Sequence, residues 1–225
     1  YARRAAAAAN TPALTQITVP TMSGYQFEGY YTGMGGVGKR IINADGTLNT
    51  DEEEVANHTL FYTNNMLFAR WVAVPQKAIV NLRLDDGGYT GQNVALYQRG
   101  YLKYTLEENS SGVYSYYLDD PNSTAHGVPV GIYDIYIDGV GTGRTLEVEA
   151  RQEKGTEFTQ TLQFYTASVT TLVDGVGANV GAVALRQNGL VKTRLVYDDG
   201  TDTHKAAVLY DESPEADHQY NIYVD

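Results

Sequence analysis

Cysteine is absent from the 225 residues, and the chain holds only six prolines, five phenylalanines and one tryptophan. Without a thiol there is no disulfide, no thiolate zinc site and no cysteine nucleophile. No apolar run approaches the roughly 20 residues of a membrane-spanning helix, so no membrane insertion is expected in this stretch. Positive charge is scarce as well. Sixteen Lys+Arg stand against 27 Asp+Glu, a net charge of −11, and the pI is near 4.7. A surface this acidic repels phosphate backbones and anionic leaflets, which excludes general nucleic-acid binding. Neither G-x-S-x-G nor H-E-x-x-H occurs. We therefore expect no enzyme, no catalytic residue, no metal and no cofactor. There is no recognisable signal peptide and no initial Met, which reads as a fragment of something longer. Tyr1–Arg4 and the alanine run Ala5–Ala9 are set aside as a tail or poorly defined opening strand.

What the chain has in abundance is tyrosine, 19 residues, and glycine, 23. Period-two alternation dominates beyond residue 10. Val80, Leu82 and Leu84 alternate with Asn81 and Arg83. Tyr133, Ile135 and Ile137 alternate with Asp134, Tyr136 and Asp138, which places Tyr136 on the outer face. Turn dipeptides separate such runs: Asp45-Gly46, Arg99-Gly100, Asp174-Gly175, Asn188-Gly189 and Asp199-Gly200. Short strands at this spacing predict an all-β architecture.

The chain also repeats itself. Val94–Lys103 matches Val183–Lys192 at an offset of 89, and Tyr133–Asp138 matches Tyr220–Asp225 at an offset of 87. Two matches in the same order at nearly one offset predict two copies of a module, at 77–163 and 164–225. The second copy stops where the first continues past Asp138. Each copy predicts a hairpin, 93–98 with 101–106 in the first, in which Leu102, Tyr104 and Leu106 share a face. Val191, Thr193 and Leu195 are their counterparts. Short linkers that restrict flexing between modules are expected near Val74-Pro75 and Phe164-Tyr165.

Residues 17–74 have a different texture. Pro20-Thr21, Gly24-Tyr25, Phe27, Gly29-Tyr30, the turn Asn43-Ala44-Asp45-Gly46 and the closing Leu67-Phe68-Ala69 with Trp71 follow one another in order. This pattern resembles the Listeria–Bacteroides repeat, the internalin-type B repeat of bacterial surface proteins. The resemblance implies a small β-grasp-like module acting as a spacer or adhesive segment. The family's opening strand has no counterpart in residues 1–16, and 50–65 is longer than usual. The two later copies resemble carboxypeptidase-regulatory-like or transthyretin-like β-sandwich modules, through Gly131, Tyr133, Ile135 and Ile137 before a Gly-rich turn. Such modules also serve mainly as spacers and interaction domains.

Several motifs invite a chemical reading. Gly33-Met34-Gly35-Gly36-Val37-Gly38-Lys39-Arg40 has P-loop spacing, but Arg40 stands where the magnesium-binding hydroxyl belongs, and a β-like run follows where a helix is required. We read it as a loop. His58, His126, His204 and His218 lack metal-ligand spacing and read as solvated loop residues. Asp198-Asp199-Gly200-Thr201-Asp202 has the wrong spacing for a calcium loop. Asp51–Glu54 reads as a solvated charge run, and the pairs Asp85-Asp86 and Asp119-Asp120 as turns. Tyrosine is the best lead. Tyr136 and Tyr223 hold the same outward position in the two copies, and Tyr116 is a third candidate. An exposed aromatic can stack on a sugar or anchor a protein contact.

The expectation is an all-β chain: a β-grasp-like N-terminal module followed by two tandem β-sandwich modules. Its expected role is a non-catalytic spacer or adhesion segment of a bacterial cell-surface or secreted protein. The partners would be a protein or glycan at that surface and neighbouring repeats of the same chain. The alternatives are a carbohydrate-binding module using its tyrosines, or an accessory domain of a secreted hydrolase.

Overall fold

The computed structural model describes residues 16–52, 66–117, 127–188, 190–210 and 219–224. It is all-β, built of antiparallel and mixed sheets. The tail before residue 16, His58, His126, His218 and Asp119-Asp120 lie outside the described residues. By internal contacts the chain divides into two compact units.

The first unit holds the described residues within Tyr1–Gln76, Asp119–Gly131 and Val148–Thr156. Strands β1 (Tyr25–Tyr31), β2 (Arg40–Ile42) and β3 (Phe68–Ala73) form an antiparallel sheet in the order β2-β1-β3. Phe27 packs edge-on against Trp71 at 5.3 Å and Tyr30 at 5.1 Å. Ile41 and Ile42 form a second buried cluster with Ile17, Tyr30, Leu48 and Leu67. Gly29 explains itself physically. It sits at an irregularity of the β1–β3 register with φ of 130°, and a Cβ there would run into the carbonyl oxygen of Ile42, so only glycine fits. The Asn43–Thr47 turn is closed by Asp45, whose carboxylate accepts the backbone N–H of Thr47 at 2.9 Å and its hydroxyl at 2.6 Å. Asp45 is thereby held below the usual carboxylate range, the Thr47 hydroxyl contributing most. Around the expected short linker Val74-Pro75 the chain is pinned within this unit. Val74 and Gln76 are buried, Gln76 and Val128 exchange both backbone hydrogen bonds, and Pro75 accepts the N–H of Gly155.

The second unit holds the described residues of Lys77–Leu118, Ile132–Glu147 and Glu157–Asp225. Its first copy comprises β4 (Lys77–Leu84), β5 (Gly87–Gly88), β6 (Val94–Gln98), β7 (Tyr101–Thr105), β8 (Glu107–Ser110), β9 (Val113–Tyr116), β10 (Gly131–Ile137) and β11 (Val140–Val148). A long strand, β12 (Glu157–Val169), follows. The second copy continues with β13 (Leu172–Val173), β14 (Val176–Gly177), β15 (Val183–Gln187), β16 (Leu190–Asp198), β17 (Thr203–Leu209) and β18 (Asn221–Val224). One four-stranded sheet runs β11-β10-β6-β7, and a larger mixed sheet runs β18-β15-β16-β17-β12-β4-β9-β8. Tyr104 of the former meets Tyr116 of the latter at 4.8 Å, which places the two sheets face to face there.

The copies agree in register, not only in sequence. Ala95 pairs with Thr105 and Leu96 with Tyr104; 89 residues on, Ala184 pairs with Arg194 and Leu185 with Thr193. The register slips at the same place in both, between Leu96 and Tyr97 and between Leu185 and Arg186. That slip is a β-bulge, and a bulge turns the following side chain to the other face. Leu102 therefore pairs with outward Tyr97 and is exposed, as is its counterpart Val191, while Leu106 and Leu195 are buried. The single face expected for Leu102, Tyr104 and Leu106 is broken by this bulge.

The boundary expected at 163/164 falls inside β12. Glu157–Phe164 run parallel to Lys77–Leu84, and Phe164–Val169 run antiparallel to His204–Leu209. One uninterrupted strand thus belongs to both copies. The core of the second copy gathers Val183, Leu185 and Leu195 with Ala167 and Val169 of this strand and Ala206 and Val208 of β17.

Candidate functional site

Tyr136 lies on the outer face of β10, between buried Ile135 and Ile137, and pairs with Ala95 of β6. Tyr97, two positions along β6, points the same way. Their rings stack with centroids 4.1 Å apart and planes inclined by 27°. A shallow depression of about 80 Å³ opens beside them, lined by Tyr97, Tyr136, Leu102, Thr105, Ala95, Asn93 and Gly139. Leu102 reaches this lining only because of the bulge. The result is a small aromatic ledge with an aliphatic wall and two polar side chains at its margin.

In the second copy the same register brings Tyr223 opposite Ala184, and Arg186 takes the place of Tyr97. The Arg186 guanidinium lies over the Tyr223 ring at 4.3 Å, a cation–π contact instead of a stack. Tyr223 is exposed, but its neighbour carries charge. The two outward tyrosines hold matching positions with different chemistry around them.

Tyr116 does not join this face. It sits on β9 paired with Ala78 and packs on Tyr104, which in turn stands edge-on to Tyr133 at 5.9 Å. Burial pushes the Tyr133 phenol up to about 12, with Tyr104 adding to it, and burial likewise raises Tyr104, helped by Tyr116. These phenols stay neutral and serve the interior. Sequence alternation finds Tyr136 and Tyr223. It misses Tyr97, whose relevance follows only from its diagonal position across the ladder.

His204 departs from the expectation of a solvated loop residue. It lies on β17, 1% exposed. Its Nδ1 is 3.4 Å from the Thr171 hydroxyl, its ring is 4.9 Å from Tyr197, and its Nε2 is buried without a hydrogen-bond partner among the described residues. The register equates it with Tyr114 of the first copy, which pairs with Glu108 as His204 pairs with Tyr197. The Tyr114 hydroxyl donates to the Tyr89 carbonyl and accepts the N–H of Gln92.

The Asp198 carboxylate is occupied by its own turn and by Lys205. Asp198 accepts from Lys205 Nζ at 2.7 Å, the Thr201 hydroxyl at 3.0 Å and the Gly200 N–H at 2.9 Å, and the Lys205 hydrogen bond does most to hold it below the carboxylate range. Among the described residues no cluster of three or more His, Asp or Glu is arranged to hold a metal. The glycine run at 33–38 forms a 3-10 turn, Met34–Gly36, and then enters β2. No helix opens there, so the P-loop spacing lacks the helix N-terminus that phosphate binding needs. No described helix is long and apolar enough to cross a membrane.

Compared with known proteins, the chain matches no family model and no curated protein. Among solved structures it is similar to the Bacillus anthracis TIE protein, at 9% identity and a TM-score of 0.29. That match covers 72% of this chain and 33% of the other, so the chain spans about a third of its length. A likeness at that score carries no argument.

Proposed function

We propose that the chain is a non-catalytic spacer or adhesion segment of a bacterial cell-surface or secreted multi-domain protein. The observation that carries this is β12, which closes the first copy on β4 and opens the second on β17 without a break. A linker between modules lets them swing; a shared strand transmits orientation, which is what a spacer needs. In this reading 17–74 is a Listeria–Bacteroides-type β-grasp-like module, and the two copies are carboxypeptidase-regulatory-like β-sandwiches. The ordered motif from Pro20 to Trp71 and the tight alternation of each copy support that assignment. The partners would be a protein or glycan outside the cell and neighbouring repeats. The experiment is a distance measurement between labels on the two copies: a narrow distribution supports the spacer, and a broad one removes its basis.

A second reading, a carbohydrate-binding module, is favoured by the stacked Tyr97–Tyr136 pair beside its depression. A glycan array decides it. Reproducible binding lost in Tyr136→Ala and Tyr223→Ala would establish sugar recognition, and no signal above background on the intact chain would end it.

A further inference from the structure

We propose, resting on the carbohydrate reading above and narrowing it to the first copy, that the depression over Ala95 is a subsite for the terminal, uncharged hexopyranose of a glycan. Ala95 is its floor. Val94 and Leu96 are fully buried on the inner face, so Ala95 between them points outward, with Tyr136 of β10 paired to it on one side and Thr105 of β7 on the other. A methyl group between two longer side chains leaves a hollow. Tyr97 and Leu102, paired across the ladder, close one end of it, and Asn93 and Gly139 close the other. The Tyr136 ring is fixed in place: Tyr97 stacks on it, and a Cβ on Gly141 of β11 would come within 3.2 Å of its Cζ. An aromatic surface held in this way is ordered before a ligand arrives, which lowers the entropic cost of binding.

The polar groups around the hollow are uncommitted. Among the described residues the Asn93 side-chain amide, the Thr105 hydroxyl and the hydroxyls of Tyr97 and Tyr136 make no hydrogen bond, whereas the Asn93 backbone is taken up by Asp138. Aromatic and aliphatic surface with donors and acceptors at its margin suits a molecule that has a C–H face and a rim of hydroxyls, which is a pyranose. Charge narrows the class. No cationic side chain is in the lining. Asp134 pairs directly with Tyr97 on the outer face, and Asp138 stands at the Asn93 end. A uronate, a sialic acid or a sulfated sugar would bring negative charge towards both carboxylates, on a chain that already carries −11, with nothing there to neutralise it. The hollow of about 80 Å³ is closed at both ends, so it admits part of one ring at a chain terminus and not a glycan passing through.

The internal repeat separates what the hairpin needs from what a ligand needs. Ala184 and Val191 stand where the first copy has Ala95 and Leu102, in the same register and beside the same bulge. Arg186, however, replaces Tyr97, Arg194 replaces Thr105, and Ala182 replaces Asn93. The second hairpin forms without the tyrosine, the threonine hydroxyl or the asparagine amide, so none of the three is required to close the ladder. In the first copy they converge on one hollow, with Leu102 as its wall. Two guanidinium groups at the matching positions would instead suit an anion, so the neutral-sugar chemistry belongs to the first copy.

The test is a titration of the full chain, with its alanine methyl groups labelled, by methyl β-D-glucopyranoside, methyl β-D-galactopyranoside and the two corresponding methyl uronides, followed by NMR. At least one neutral glycoside is expected to shift the Ala95 methyl in a saturable way while its counterpart Ala184 stays unmoved. The matching uronide should bind at least about tenfold more weakly. Tyr97→Arg and Thr105→Arg install the residues that the second copy carries in the same register, so the hairpin tolerates them, and each should weaken binding about tenfold. Ala95→Leu fills the hollow and should abolish binding, with an unchanged Ala184 signal showing that the chain is still folded. Lengthening the bound glycoside to a trisaccharide that ends in the same residue should leave the affinity unchanged. If none of the four glycosides moves any alanine methyl, the carbohydrate reading falls together with the proposal. Sugar binding that leaves Ala95 unmoved, survives Ala95→Leu, favours the uronides or tightens with chain length leaves the carbohydrate reading standing and overturns the proposal.

Discussion

Gly29 shows how one residue fixes a local fold. Its φ of 130° and the nearby Ile42 carbonyl leave no room for a side chain. Gly29→Ala is expected to lower stability by at least about 2 kcal/mol, the sum of backbone strain and a forced shift of β2, measured by urea unfolding. His204 is the opposite case, a residue its site does not fully satisfy. A buried polar atom without a partner costs about 1–3 kcal/mol. His204→Tyr installs the residue that the first copy uses at this position, and we expect it to raise stability by about 1 kcal/mol. A loss of stability in urea unfolding would show that the two sites differ more than their register suggests. Asp85 holds both the N–H and the hydroxyl of Thr166, at 2.9 and 2.6 Å, and the hydroxyl does most to lower its pKa below the ordinary 3.8. A carboxyl whose folded value is depressed stabilises above its unfolded value and loses that contribution as pH falls through the folded one. The advantage of the wild type over Asp85→Asn should therefore be complete above about pH 4 and fade on further acidification, read from thermal unfolding across that range.

At the scale of strands, alternation in the sequence goes a long way and then fails for a definable reason. Tyr133, Ile135 and Ile137 read inward and are buried; the turn at Arg99-Gly100 reads as a hairpin, and both residues have positive φ. Leu102 reads inward with Tyr104 and Leu106, yet it lies outside. A bulge shifts the parity of the strand, and nothing in a period-two pattern marks where an extra residue is absorbed. Leu102→Ser and Val191→Ser should thus change stability by no more than about 0.5 kcal/mol, whereas Leu106→Ala should cost about 2–5 kcal/mol. Denaturant unfolding of the three variants checks the assignment of faces. The aromatic ledge was half legible for the same reason. Tyr136 follows from alternation, but its stacking on Tyr97 depends on the cross-strand register. His204 escaped because Asp198–Asp202 and its histidine look like one polar loop in sequence, while the ladder from Asp198↔Thr203 onward carries the histidine inside.

For the molecule as a whole, the consequential feature is the one that a repeat search obscures. Two copies at a fixed offset suggest two beads and a join, and Phe164-Tyr165 looks like the join. The offset says how often the pattern recurs but not how the chain passes from one copy to the next. In the structure that passage is itself a strand, parallel to β4 before Phe164 and antiparallel to β17 after it. Bending the copies apart would therefore break sheet hydrogen bonds and uncover Leu162 and Phe164, both buried. Absence of cysteine makes this measurable without background labelling. Lys103 and Lys192 are exposed counterparts on β7 and β16. Spin labels at Lys103→Cys and Lys192→Cys, read by pulsed dipolar spectroscopy, should give one narrow distance distribution. A Gly-Ser insertion between Phe164 and Tyr165 should broaden it. A distribution in the uninterrupted chain as broad as that of the insertion variant would contradict the shared strand and the spacer function drawn from it.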